Sequence, residues 1–107
     1  MVEKEIVGKV REFVKELKRR GIRVKKVIIY GSRVSGGARK YSDIDVAVIS
    51  PDFGKDSYKE GTKLFEIASQ IDARIEPVAI STKSYEKDTW IPLIYEIREK
   101  GLELKVA

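Results

Sequence analysis

The sequence predicts an α/β protein, helices and strands alternating around one core. Two kinds of segment predict it. Apolar residues at three- and four-residue steps, Ile6, Val10, Phe13 and Leu17 and again Leu64, Ile67, Ala68 and Ile71, each form the buried stripe of an amphipathic helix. Short runs rich in β-branched residues, Val27-Ile28-Ile29-Tyr30 and Val46-Ala47-Val48-Ile49, fit buried strands. The 107 residues are enough for one domain, residues 1–107, with a modest core.

In chain order, residues 2–20 read as the first helix. Lys18-Arg19-Arg20 sit at its negative dipole end, and Gly21 accepts the positive φ of a helix stop. Residues 24–30 read as the first strand. Residues 31–41 form a loop, or a loop with one helical turn, made pliable by Gly36-Gly37 and basic by Arg33, Arg39 and Lys40. Residues 43–50 are the second strand, and Pro51-Asp52-Phe53-Gly54 is a turn. A second helix starts at Ser57, whose spacing to Glu60 fits a capping box. Residues 73–80 are the third strand, and Pro77 cannot donate to a ladder, so this strand lies at an edge or a bulge. Asp88 or Thr89 caps a third helix with Pro92 in its first turn, Leu93, Ile94 and Ile97 buried, and Trp90 as a hydrophobic staple. Gly101 ends that helix, and residues 102–106 alternate as a last strand.

Composition excludes several chemistries. There is no Cys, so no disulfide, thiol nucleophile or thiolate metal site. There is no His, so no imidazole base and no His-held zinc or iron. A catalytic metal here is held by oxygen, which favours Mg²⁺ or Mn²⁺. No apolar run approaches the ~20 residues that span a bilayer, and the opening Met1-Val2-Glu3-Lys4-Glu5 is charged, so the expectation is a cytoplasmic protein with no membrane role. A charged fraction of 36% without Cys or His resembles a thermophile's composition. The net charge of +5 suits an anionic substrate, a nucleotide or RNA, and equally describes an ordinary soluble surface.

The chemistry concentrates in Gly31-Ser32, a gap of ten residues, and Asp43-Ile44-Asp45. A small polar turn ends one strand, and two carboxylates at i and i+2 open the next, both on one face. Side-by-side anions are costly unless something positive lies between them, and divalent metal with a phosphate chain is the natural candidate. Nucleotidyl transfer needs that arrangement: two Mg²⁺ ions roughly 3.5–4 Å apart clamp the attacking and leaving oxygens. Glu76, an acid in the apolar stretch Arg74-Ile75-Glu76-Pro77-Val78, is the candidate third carboxylate, with Asp72 as the fallback. Gly31 lets the backbone approach a phosphate, the Ser32 hydroxyl adds a donor, and Arg33 is placed to neutralise the β- or γ-phosphate. Tyr30 and Tyr41 flank the loop, either as core packing or as a nucleobase platform.

Gly31-Ser32, the ten-residue gap, Asp43-Ile44-Asp45 and Glu76 resemble the DNA polymerase β-like nucleotidyltransferase superfamily, over about residues 24–80, and the small size resembles its minimal nucleotidyltransferase branch. The resemblance implies an α/β fold with a mixed sheet of about four strands. It implies Mg²⁺-dependent transfer of a nucleoside monophosphate, AMP from ATP, with Asp43, Asp45 and Glu76 binding two metal ions. It further implies an acceptor hydroxyl on a separate macromolecule, RNA or protein, because no acceptor-binding domain is visible. Some minimal members are antitoxins paired with a HEPN-type toxin and place AMP on its tyrosine. The alternative is a non-catalytic antitoxin that neutralises its partner by complex formation. A homodimer is open to so small a domain.

Overall fold

The computed structural model describes residues 2–106; Met1, part of the charged opening above, and Ala107 lie outside the described residues. Nine elements follow one another: α1 (Lys4–Arg19), β1 (Lys26–Tyr30), α2 (Ser32–Ser35), β2 (Ile44–Ser50), α3 (Ser57–Ile71), β3 (Ile75–Ser81), α4 (Thr82–Lys87), α5 (Pro92–Lys100) and β4 (Leu102–Leu104). The strands form one sheet in the order β3-β2-β1-β4. β1 runs antiparallel to β2 and β4, while β2 and β3 are parallel, so the sheet is mixed.

Alternation along the strands splits the core in two. Val27, Ile29, Ile44, Val46, Val48, Ile75 and Leu104 face the stripe Ile6, Val10, Phe13 and Leu17 of α1 and Leu64, Ile67 and Ala68 of α3. Ile28, Ala47, Ile49 and Ile80 face the other way and meet Tyr85 of α4 and Ile94 and Ile97 of α5. This second layer is thin, because α4 and α5 are only 6 and 9 residues long.

The helix ends follow local chemistry. After α1, the Gly21 N–H donates to the Lys18 carbonyl and the Ile22 N–H to the Leu17 carbonyl, with Gly21 at φ 86°. This is a Schellman stop. The α3 cap lies one residue earlier than Ser57: the Asp56 carboxylate accepts from the Lys59 N–H at 3.1 Å, and Glu60 accepts from the N–H groups of Gly54, Lys55 and Asp56. A carboxylate is a stronger acceptor than a hydroxyl for N–H groups at a helix start, so the aspartate takes the position. Pro77 lies on β3, an edge strand of the sheet, where a residue without an N–H is tolerated.

The segment before α5 departs from expectation. Ser81 caps a separate helix, α4, accepting from the Ser84 N–H at 3.0 Å. α5 begins after Ile91 with no side-chain cap, so neither Asp88 nor Thr89 starts it; the Asp88 carboxylate instead accepts from the Ser84 hydroxyl at 2.8 Å. Trp90 is 77% exposed and staples nothing, and Leu93 is 38% exposed. The third strand ends one residue later than expected, at Ser81, and the last strand stops at Leu104.

Candidate active site

The end of β1 and the starts of β2 and β3 meet at one end of the sheet. There Tyr30 pairs with Asp45, and Asp45 pairs with Glu76. These three residues form one row across neighbouring strands. The row lies on the α4–α5 side, because Tyr30 packs against the smaller core and Asp45 alternates with Ala47 and Ile49. Asp43 precedes β2 by one residue and is exposed, as is Glu76, while Asp45 is half-buried. Asp72, the fallback, lies elsewhere in chemistry: its two oxygens accept from the Arg74 Nε at 3.0 Å, Nη2 at 2.8 Å and backbone N–H at 2.9 Å. These bonds hold the Asp72 carboxyl down at about 2 and leave it committed to Arg74.

Anions crowd this end of the sheet. Burial, then Asp43, then Glu96 of α5, push the Asp45 carboxyl up from its ordinary value. Tyr30 is pushed up to about 12 by burial and by the fields of Asp45, Glu96 and Glu76. Glu96 is the acid that sequence patterning missed. It is exposed on α5 between the buried Ile94 and Ile97, and the packing of that helix on the sheet brings its charge near Asp45. Among the described residues, no three acids are already drawn into a metal-holding cluster. The donors at this row are hard oxygens on adjacent strands, a set that fits Mg²⁺ or Mn²⁺.

Gly31 joins the turn to the acids. It ends β1 at φ 75°, a conformation L-residues rarely adopt, and a Cβ there would strike the Asp45 carboxylate. Ser32 then opens the short helix α2, where Val34 and Ser35 donate their N–H groups to the Gly31 carbonyl at 3.0 Å. Gly31 thus brings the backbone of the turn against one of the two aspartates.

Arg33 is not turned toward the phosphates expected of it. It is 8% exposed, and its Nη2 donates to the carbonyls of Ser42 at 2.7 Å and Lys40 at 3.2 Å. The Lys40 carbonyl also accepts from Arg74 Nη1 at 2.9 Å, and Arg74 pairs with Glu5 of α1 at 3.2 Å. Two guanidinium groups therefore hold the chain just before Asp43. The loop carbonyls satisfy the Nη2 of this buried arginine, while its Nε is buried without a hydrogen-bond partner. Of the two tyrosines beside the loop, Tyr30 is half-buried and Tyr41 is 79% exposed, with the Lys40 ammonium 5.4 Å from its ring centre.

The chain matches the nucleotidyltransferase domain over residues 9–105 and belongs to that family. Among solved structures it is similar to a candidate nucleotidyltransferase from Sulfolobus solfataricus, at 14% identity and a TM-score of 0.65, over 92% of this chain and 78% of that one. It is also similar to a toxin-antitoxin structure solved with AMP-PNP, at 22% identity and a TM-score of 0.58, over 90% of this chain and 73% of that one. At these identities the likeness shows the fold, a mixed sheet flanked by helices. No curated protein matches the chain.

Proposed function

We propose that this protein transfers a nucleoside monophosphate, AMP from ATP, to a hydroxyl of a separate macromolecule. The observation that carries the reading is the cross-strand row Asp45–Glu76 beside Asp43, with the Gly31 backbone packed against Asp45. Asp43, Asp45 and Glu76 would hold Mg²⁺, which when bound offsets the charge of the triphosphate and of the pyrophosphate leaving group. The Gly31-Ser32 turn brings backbone N–H groups and a hydroxyl to the phosphates, because glycine alone lets the chain pass so close to Asp45. The acceptor oxygen bonds to the α-phosphorus, the bond from that phosphorus to the bridging oxygen breaks, and pyrophosphate departs. Glu76, exposed on the edge strand β3, stands where an acceptor arriving from outside the sheet meets the row, and its carboxylate can take the hydroxyl proton. Arg33 and Arg74 act through the loop, holding Asp43 in place.

The acceptor in this reading is a protein, such as a toxin partner of HEPN type bearing a tyrosine; RNA is the other candidate. A second reading, a binding module that silences its partner by covering it, draws on the likeness to a toxin-antitoxin structure and on the exposed Trp90, Leu93 and Tyr95. ATP labelled at the α- or the γ-phosphorus separates the two readings, with a cell extract as the source of acceptors. Transfer predicts macromolecule-bound label from the α-position only, absent with Asp43→Asn/Asp45→Asn. No α-label on any macromolecule, from a chain that still forms a stable complex with a partner, would support the binding module.

A further inference from the structure

An aromatic ring stands free beside the acids. Tyr41 lies two residues before Asp43 in the chain, and both are exposed. Neither core layer includes Tyr41, whereas Tyr30 packs against the smaller one.

The backbone on both sides of this ring is held from beneath. The buried Arg33 donates from Nη2 to the carbonyls of Lys40 and Ser42, the two residues that flank Tyr41. Arg74 adds a second bond to the Lys40 carbonyl. A turn closes the same stretch: the Ser42 N–H donates to the Arg39 carbonyl at 3.0 Å, and the Arg39 N–H to the Ser42 hydroxyl at 2.8 Å. Surface loops are ordinarily the more mobile part of a fold. Here two guanidinium groups fix a short stretch whose central side chain is left in solvent. A ring on so fixed a backbone is placed in advance, and a ligand that stacks on it loses little conformational freedom. The Lys40 ammonium lies over one face of the ring, 5.4 Å from its centre, which leaves the opposite face open.

We infer that Tyr41 is the platform on which the nucleobase of the substrate stacks. This rests on the nucleotide reading above and adds to it the group that meets the base. In that reading the phosphates lie at the Gly31-Ser32 turn and the aspartates, and the base, joined to them through the ribose, needs a flat apolar partner close to Asp43. Stacking uses the π-face that every base presents and reads no base edge. The preference it gives therefore follows ring area, purine nucleotides over pyrimidine ones.

The test is a calorimetric titration of the full chain, in Mg²⁺, with ATP, CTP and ribose 5-triphosphate, which carries the same sugar and phosphates without a base. The parent should bind ATP most tightly and ribose 5-triphosphate least. Tyr41→Ala should weaken ATP about fivefold or more while changing ribose 5-triphosphate by less than about twofold. Tyr41→Phe keeps the ring and should bind ATP as the parent does. So should Tyr58→Ala, whose exposed tyrosine lies in the first turn of α3, beyond the far end of β2. Equal binding of ATP by the parent and Tyr41→Ala would overturn the platform, as would an equal loss for ATP and ribose 5-triphosphate, which would mean that the loop serves the phosphates instead. A parent that binds ATP and ribose 5-triphosphate equally would overturn the platform alone; a parent that binds neither would overturn the nucleotide reading with it.

Discussion

Gly31 and Asp45 are in contact across β1 and β2: the Asp45 carboxylate occupies the space that a Cβ at position 31 would need. The contact exists because Tyr30 pairs with Asp45 in the antiparallel register, which puts the next residue of β1 beside the start of β2. One glycine thus serves two ends, a left-handed turn at φ 75° and the close approach of backbone to an acid.

Replacing Gly31 by alanine should therefore both strain the turn and displace Asp45. The expected destabilisation is about 1–3 kcal/mol, and a misplaced carboxylate should lower transfer by about a hundredfold. Urea unfolding and a transfer assay on Gly31→Ala check both. Normal stability with normal activity would mean that the turn accommodates a side chain.

Asp45→Asn should separate stability from function. Burial and the neighbouring Asp43 and Glu96 raise the Asp45 carboxyl above its ordinary value of 3.8. The folded state then holds this proton more tightly than the unfolded chain, so ionising Asp45 costs stability as pH rises through and above the ordinary carboxylate range. The metal-free variant should melt a few degrees above the parent at pH 7 and lose that advantage near pH 3.5, while transfer disappears. Thermal melts between pH 3 and 8 in the presence of a chelator measure this.

Asp72 should behave in the opposite sense. Its carboxyl is lowered from 3.8 to about 2 by the Arg74 side chain, so its contribution is in full force above the ordinary value and is lost as pH falls toward 2. Asp72→Asn should cost about 1–2 kcal/mol at pH 7 and leave residual transfer, since Asp72 faces Arg74 rather than the acid row. Chemical unfolding at pH 7 and pH 2.5 tests it, the difference between parent and variant shrinking at the lower pH.

Arg33→Met should free the chain ahead of Asp43. The buried guanidinium donates to the carbonyls of Ser42 and Lys40, and its loss removes the Ser42 bond and leaves the Lys40 carbonyl to Arg74 alone, at a cost of about 1–3 kcal/mol. Hydrogen exchange should quicken over residues 36–43. In transfer, kcat should fall while the KM for ATP changes little, the pattern of a positioning residue. A selective rise in KM would return Arg33 to the phosphates.

The fold was legible wherever a segment carried a period. The α1 stripe Ile6, Val10, Phe13 and Leu17 is buried as spaced, and the β-branched runs are the two central strands. α4 was not legible, because only Tyr85 of its six residues is buried and the segment reads as polar loop. Glu96 was invisible for a different reason: its approach to Asp45 depends on how α5 lies across the sheet. Strand phase in residues 73–80 pointed to Glu76, and the pairing of β2 with β3 is what sets Glu76 opposite Asp45. The inward turn of Arg33 could not be read from a basic loop, since the carbonyls that hold it come from residues seven and nine positions later.

The most direct measurement is a calorimetric titration of ATP into the protein with and without Mg²⁺, repeated on Asp43→Asn/Asp45→Asn and on Glu76→Gln. Mg²⁺-dependent binding to the parent is expected, with none to the double variant and weakened binding to Glu76→Gln. Binding that ignores Mg²⁺, or that survives unchanged in the double variant, would contradict the placement of the nucleotide at this end of the sheet.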